Sequence, residues 1–95
     1  MVKILIPTQF QKITGSGVAI YYIEDAEKGF DIRHILSKLM ADYPSLTERL
    51  LDKNAQLNKF INIFVNDEDI RFLNGEDTML QQGDIISLIP AIAGG

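Results

Sequence analysis

Residues 60–72 read FINIFVNDEDIRF, and this stretch decides how the chain folds. Its first half, Phe60 to Val65, is rich in β-branched and aromatic residues, which predicts a strand. The polar run Asn66 to Asp69 then predicts a turn, and Ile70 to Phe72 predicts a short returning strand. A strand hairpin of this kind needs a helix or a second sheet to cover its apolar face.

The main helix is predicted upstream of this hairpin. Apolar residues recur at intervals of three and four from Ile32 to Tyr43, the stripe of an amphipathic helix. Asp31 is the expected N-cap, and Pro44 should end the helix. Ser45 followed three residues later by Glu48 predicts a capping box that opens a short second helix.

The remaining strands lie at the two ends of the chain. Val2 to Ile6 and Val18 to Ile23 flank a turn-like cluster at 14–17, which predicts an N-terminal hairpin. Ile85 to Ile89 predicts the last strand, and Pro90 should stop it. The element order β-β-α-(short α)-β-β-β indicates an α+β fold, in which a mixed sheet packs on one main helix.

Strand alternation divides the apolar residues between two faces of this sheet. The residues expected to face the helix are Ile4, Ile6, Ile61, Ile63, Val65, Ile86 and Leu88. Leu5, Phe64 and Ile89 should then point away from it. Since only one helix is long enough to cover a sheet, these three are expected to form an apolar patch that docks a partner protein. The alternative is that residues 70–80 fold over them.

The length and composition of the chain limit the classes of protein to which it can belong. The chain has 95 residues, which suits one domain, predicted over 1–90 with a flexible tail at 91–95. A net charge of -4 argues against nucleic-acid binding, which usually needs a basic surface. The lack of cysteine excludes disulfides and zinc–thiolate sites. No apolar segment is long enough for a membrane span, so the cytoplasm is the expected location.

No set of residues assembles a catalytic or metal site in the sequence. His34 is the only histidine, which excludes a histidine-pair metal site and favours a surface role. The acidic run at 67–69 lacks the pattern of a calcium loop and fits a solvated turn. Gly15-Ser16-Gly17 lacks the spacing of a phosphate-binding loop.

The end of the chain carries the strongest functional signal. Pro90 is followed by Ala91, Ile92, Ala93, Gly94 and Gly95, a run of small or apolar residues that favours an extended conformation. Fully extended, the stretch from Pro90 to Gly95 reaches roughly 20 Å. Glycines at the tip can enter a narrow channel. This tail is suited to delivering a carboxyl group into a partner's active site.

In these features taken together, the chain resembles the ubiquitin-like sulfur carriers. The resemblance rests on the element order, the FINIFVNDEDIRF stretch, the Gln82-Gly83-Asp84 turn and the Pro90 to Gly95 tail, and it covers nearly the whole chain. It is strongest to the carrier of a cysteine-biosynthesis pathway. Small subunits of molybdopterin synthase, the first alternative, often have Pro-Pro where this chain has Pro90-Ala91.

The resemblance implies a β-grasp fold and a carrier chemistry. An E1-like adenylating enzyme that uses ATP would activate the Gly95 carboxylate, and sulfur would replace the adenylate to give a thiocarboxylate. A sulfur-accepting enzyme, either cysteine synthase-like or a large molybdopterin synthase subunit, would then use that sulfur. The chain would be a protein co-substrate without a bound cofactor, with Gly94 giving clearance and Leu5, Phe64 and Ile89 docking. A ubiquitin-like modifier joined to target lysines has the same tail and remains the rival of another class.

Overall fold

A five-stranded mixed sheet is the centre of the part of the chain that the computed structural model describes, residues 1–14, 17, 19–24 and 30–90. The strands are β1 (Val2–Leu5), β2 (Ile20–Ile23), β3 (Ile61–Val65), β4 (Glu68–Asp69) and β5 (Ile85–Pro90). The helices are α1 (Thr8–Thr14), α2 (Ile32–Asp42) and α3 (Thr47–Leu50), and short 3₁₀ turns occupy Pro44–Leu46, Ile70–Phe72 and Gly75–Asp77.

The sheet has the strand order β2-β1-β5-β3-β4. The first and last strands, β1 and β5, pair in parallel, with Ile4 opposite Ile86. The other three pairings are antiparallel. The predicted mixed sheet and its main helix are therefore confirmed, and β5 lies in the middle of the sheet.

The predicted antiparallel pairing of the two N-terminal strands is confirmed, but the direct turn that was predicted between them is not. β1 and β2 are antiparallel, with Val2 opposite Ile23. Between them lies α1, which the sequence analysis did not predict. Pro7 precedes α1, and its carbonyl accepts hydrogen bonds from the backbone N–H groups of Phe10 and Gln11. Proline suits a helix start because it lacks the N–H that would otherwise go unpaired there. The glycine cluster at 15–16 lies outside the described residues.

The predicted hairpin forms, but its turn is shorter than predicted, because Glu68 and Asp69 form β4 and pair with Val65 and Phe64. Its turn has Asn66 and Asp67 at φ 49° and 77°, a left-handed pair typical of a two-residue type I′ turn. The predicted returning strand at Ile70–Phe72 is wrong, because these residues form a 3₁₀ turn. The Asp69 side chain accepts a hydrogen bond from the Arg71 backbone N–H at 2.9 Å, which stabilises this turn instead of a longer strand.

The predicted capping box is also wrong. Ser45 lies inside the 3₁₀ turn, and its Oγ donates a hydrogen bond to the Ile13 carbonyl of α1 at 3.2 Å. No side chain caps the start of α3, which begins at Thr47. The Ser45 hydroxyl therefore connects two segments that are distant in sequence.

The hydrophobic core lies between α2 and one face of the sheet. All seven strand residues that were expected to face the helix are buried, as are Ile32, Ile35, Leu36 and Leu39 of α2. The segment 70–80 contributes Ile70 and Leu80 to the same core. It lies beside the start of α2, since the Ile32 N–H donates to the Thr78 carbonyl at 3.2 Å. Within the described ranges, no helix is long and apolar enough to cross a bilayer.

Asp31 caps α2 as the sequence predicts. Its Oδ1 accepts from the His34 backbone N–H at 2.9 Å and lies 2.7 Å from the His34 Nδ1. Partial burial alone would raise the pKa of Asp31, but the hydrogen bonds from His34 outweigh it and lower that pKa. The cap therefore favours the ionised carboxylate.

We expect the Asp31→Ala variant to lower the free energy of unfolding by about 1 kcal/mol, because the first turn of α2 loses its cap. Asp31→Asn is the matched control, since asparagine retains a capping oxygen. Urea denaturation of the three proteins measures the difference. Equal losses for Ala and Asn would contradict the capping role.

The same side chain should make stability depend on pH. A carboxylate with a lowered pKa in the folded state adds stability above its ordinary pKa of about 3.9, and this stability is lost as pH falls through the folded value. We expect the difference in free energy of unfolding between the wild type and Asp31→Asn to shrink between about pH 7 and about pH 3. A difference that grows on acidification would contradict this sign.

Candidate functional site

The face of the sheet turned away from α2 is apolar and open. The pairing registers place Leu5 beside Ile20 of β2 and Ser87 of β5, and Phe64 on the other side of Ser87. Ile89 lies opposite Asn62 of β3. Directly opposite residues in paired strands share a face. Leu5, Phe64 and Ile89 are therefore brought together on one surface.

This surface is larger than the sequence analysis predicted. We call it the outer face and define it by its large apolar residues, Leu5, Ile20, Tyr22, Phe64, Ile85 and Ile89. Ile89 is 47% exposed and Leu5 38%, whereas Phe64 is half-buried between its neighbours. The same strand alternation, applied to β2 and to the start of β5, would have predicted that Ile20, Tyr22 and Ile85 also lie on this face.

Polar and charged groups lie among and beside these apolar residues. The Lys3 Nζ is 6.0 Å from the centre of the Tyr22 ring, within range of a cation–π contact. Asp69 is paired with Phe64 in the hairpin but is only 8% exposed. Its carboxylate accepts three hydrogen bonds from the Arg71 guanidinium, the shortest of 2.6 Å, and these lower the pKa of Asp69.

The tail begins at the end of the central strand. Pro90 is the last residue of β5 and lies opposite Ile61, the first residue of β3. Because the nitrogen of Pro90 is part of its ring, the residue has no backbone N–H to donate to a further hydrogen bond between the strands. Residues 91–95, which include the predicted Gly95 carboxyl site, lie outside the described residues. The outer face and the root of the tail thus share one strand, with Ile89 next to Pro90.

A groove of about 490 Å³ opens beside the root of the tail. Phe10 and Ile13 of α1 line one side, and Phe60 and Pro90 line another. Lys12, Glu48 and Arg49 stand at the same opening. Sequence analysis could not find this groove, because its walls come from four segments that are far apart along the chain.

The residues considered as catalytic candidates do not converge. His34 is exposed and pairs with Asp31 beside the Phe30 ring. In the acidic run, Asp67 forms the turn while Asp69 is engaged by Arg71. Over the residues that the structure describes, no group of three histidine or acidic side chains is placed to hold a metal ion. The described residues instead bring the outer face and the root of the tail together on β5.

Comparison with known proteins agrees with this architecture. The sulfur carrier protein CysO of Mycobacterium tuberculosis is 36% identical over 96 residues, covering 99% of this chain and 98% of the relative. CysO in the BexX/CysO complex of Amycolatopsis orientalis gives a TM-score of 0.81 at 33% identity, with both chains fully covered. Small archaeal modifier protein 3 of Haloferax volcanii is 28% identical and covers 90% of this chain and 89% of the relative.

The family model described as the ThiS family matches residues 4–95. That range includes the second half of β1, the other four strands and the three helices of the described residues, and the tail. Given this match and the fold that the solved structure shares, the chain belongs to the ThiS family of ubiquitin-like β-grasp proteins.

Proposed function

We propose that this protein is a sulfur carrier, activated at the Gly95 carboxylate and docked on its partners by the outer face. The observation that carries the proposal is the position of β5, which joins the exposed Ile89 of the outer face to the root of the tail at Pro90. A partner bound to this face lies at a fixed distance from the tail. The sulfur carrier role of the CysO relatives supports the proposal.

The chemistry follows from the poor reactivity of a carboxylate. A Gly95 carboxylate oxygen attacks the α-phosphorus of ATP in the activating enzyme, pyrophosphate leaves, and an acyl-adenylate forms. A sulfur nucleophile then attacks the carbonyl carbon, AMP leaves with the bonding electron pair, and a thiocarboxylate remains. Both attacks need the reacting atoms aligned at near-contact distance. This chain supplies the docking surface, the reach and the unhindered tip, while ATP and the catalytic groups belong to the partner.

Cysteine biosynthesis is the proposed destination of the sulfur. The CysO relatives, matched over nearly their full length, support the carrier role, and the resemblance to the carrier of a cysteine-biosynthesis pathway supports a cysteine synthase-like acceptor. The small subunit of molybdopterin synthase is the alternative, with the large subunit of that enzyme as acceptor. The complex of CysO with BexX, a relative bound to a second protein, supports the idea that such carriers work by docking.

The tail prediction concerns length. We expect deletion of Gly95, or addition of one alanine after it, to abolish thiocarboxylate formation, because either change moves the carboxyl carbon by about one residue, some 3.3–3.6 Å. Intact mass after incubation with the activating enzyme, ATP and a sulfur donor is the readout. Thermal unfolding should stay unchanged, since the core ends at β5. Sulfur gain by the extended chain at the wild-type rate would disprove the carrier mechanism.

The docking prediction concerns the outer face. Ile89→Arg should weaken binding to the activating enzyme about tenfold or more, since a charge would be buried without a partner. The free energy of unfolding should change by less than about 0.5 kcal/mol, because the side chain is exposed.

Phe72→Arg is the matched control for that experiment. Phe72 is an equally apolar residue with 84% exposure, but it lies on the 3₁₀ turn after β4 and outside the outer face. Calorimetric titration of each variant with the enzyme compares them. An equal loss of affinity for both would contradict docking by the outer face, and unfolding of Ile89→Arg would contradict the assignment of faces.

A protein modifier is the second candidate function. The similarity to small archaeal modifier protein 3 favours it, and an activated Gly95 carbonyl would react with a lysine amine as it does with sulfur. The two candidates differ in their product. Lysine-linked conjugates of higher mass in cell extract would support the modifier, and a thiocarboxylate on the free protein would support the carrier.

A further inference from the structure

Phe72 is the most exposed large apolar residue in the part of the chain that the structure describes. It is 84% exposed, although an aromatic ring of this size usually gains from being covered. Leu73 and Met79 are exposed on the same segment. The Asn74 N–H donates to the Thr78 Oγ1 at 3.1 Å, so Leu73 and Met79 flank the closed end of one loop. We call Phe72, Leu73 and Met79 the Phe72 surface.

The exposure of Phe72 is imposed by the 3₁₀ turn that it ends, in which successive side chains point about 120° apart. Ile70, the first residue of the turn, is buried in the core. The Arg71 guanidinium is held by the Asp69 carboxylate, and the Leu73 N–H closes the turn on the Ile70 carbonyl at 2.9 Å. With the first two side chains fixed, the third is directed to solvent. A side chain presented in this way has little conformational freedom left to lose on binding, which favours affinity.

The negative charge of the protein is concentrated around this surface. Of the 13 acidic and 9 basic residues in the chain, five acidic residues and one arginine lie within 67–77, so the eight of each sign elsewhere cancel. Two of the five acids are engaged by arginines. Asp67 and Glu68 are exposed and form no ion pair with any residue that the structure describes. The Phe72 surface is therefore apolar and bordered by carboxylates that no described cation neutralises.

We propose that the Phe72 surface binds a basic segment of a second protein, one in which leucine or aromatic side chains alternate with lysine or arginine. The apolar side chains of that segment cover Phe72, and its cations lie against the carboxylates of Asp67 and Glu68. Opposite charges speed the encounter, and the covered aromatic ring supplies affinity. Nucleic acids and anionic lipid surfaces carry the same sign of charge as this site and are repelled by it.

The Phe72 surface lies apart from the outer face. It follows β4 at the edge of the sheet and lies beside the start of α2, where the Ile32 N–H donates to the Thr78 carbonyl. A short segment bound there leaves Ile89 and the root of the tail uncovered. The protein can then hold this partner and another on the outer face at the same time. Binding at the Phe72 surface does not depend on the carrier role.

NMR titration of the isotope-labelled protein with a synthetic peptide tests this binding. The probe is acetyl-Lys-Leu-Lys-Phe-Lys-Leu-Lys-amide, and the control peptide has glutamate at every lysine position. We expect the basic peptide to shift the amide resonances of residues 67–79 and to leave those of the outer face in place, while the acidic peptide shifts neither. Phe72→Ala should weaken binding of the basic peptide at least about fivefold, because the apolar anchor is lost. Its thermal unfolding should stay unchanged, because the ring is exposed.

Two double variants test the role of charge. Asp67→Asn with Glu68→Gln removes two carboxylates of the segment, and asparagine tolerates the left-handed backbone at this turn. Glu24→Gln with Glu48→Gln is the matched control, with the same change of charge outside the segment. The first should weaken binding of the basic peptide and the second should not.

Three results of these titrations would overturn the proposal. They are the absence of shifts with the basic peptide, shifts centred on the outer face, and equal binding by wild type and Phe72→Ala. Shifts at Phe72 that depend on the concentration of the free protein would also overturn it, since a second copy of the chain would then cover this surface. None of these measurements uses the activating enzyme, so their failure is distinct from failure of thiocarboxylate formation.

Discussion

The parallel pairing of β1 with β5 is the constraint on which the rest of the structure depends. It joins the two ends of the chain, with Leu5 beside Ser87, and it places the last strand between β1 and β3. Ile4 and Ile86, opposite each other in this pairing, are both fully buried beneath α2. Without this pairing the sheet would divide into the two-stranded β1–β2 unit and the three-stranded β5-β3-β4 unit, and an isolated two-stranded unit is at best marginally stable.

The outer face follows from the same pairing, because a central strand presents one side to the core and the other to solvent. Leu88 of β5 is buried while its neighbour Ile89 is exposed on the outer face. The strand that completes the core therefore also contributes to the outer face and leads to the root of the tail. A surface on an edge strand would be further from the root of the tail and less firmly held. The fold itself thus sets the distance between the outer face and the root of the tail.

Sequence patterns predicted those parts of the fold that depend on residues close to one another along the chain. The stripe from Ile32 and the cap at Asp31 were correct because helix periodicity and capping are short-range properties. The burial of Ile63 beside the more exposed Phe64 followed from strand alternation. α1 was missed because a seven-residue helix with one buried side chain, Phe10, has no stripe to detect. Ser45 was misassigned because its partner, the Ile13 carbonyl, is distant in sequence. The groove was invisible for the same reason.

The position of β5 also determines how the molecule responds to mechanical tension. A partner that draws the tail into a narrow channel pulls on Pro90 along the axis of a strand that is hydrogen-bonded on both sides. The hydrogen bonds of the two ladders run across the strands, so such a pull loads them in shear and they must break together. Peeling an edge strand breaks them one at a time. The position of β5 therefore favours resistance to a pull on the tail over that of a strand at the edge of the sheet.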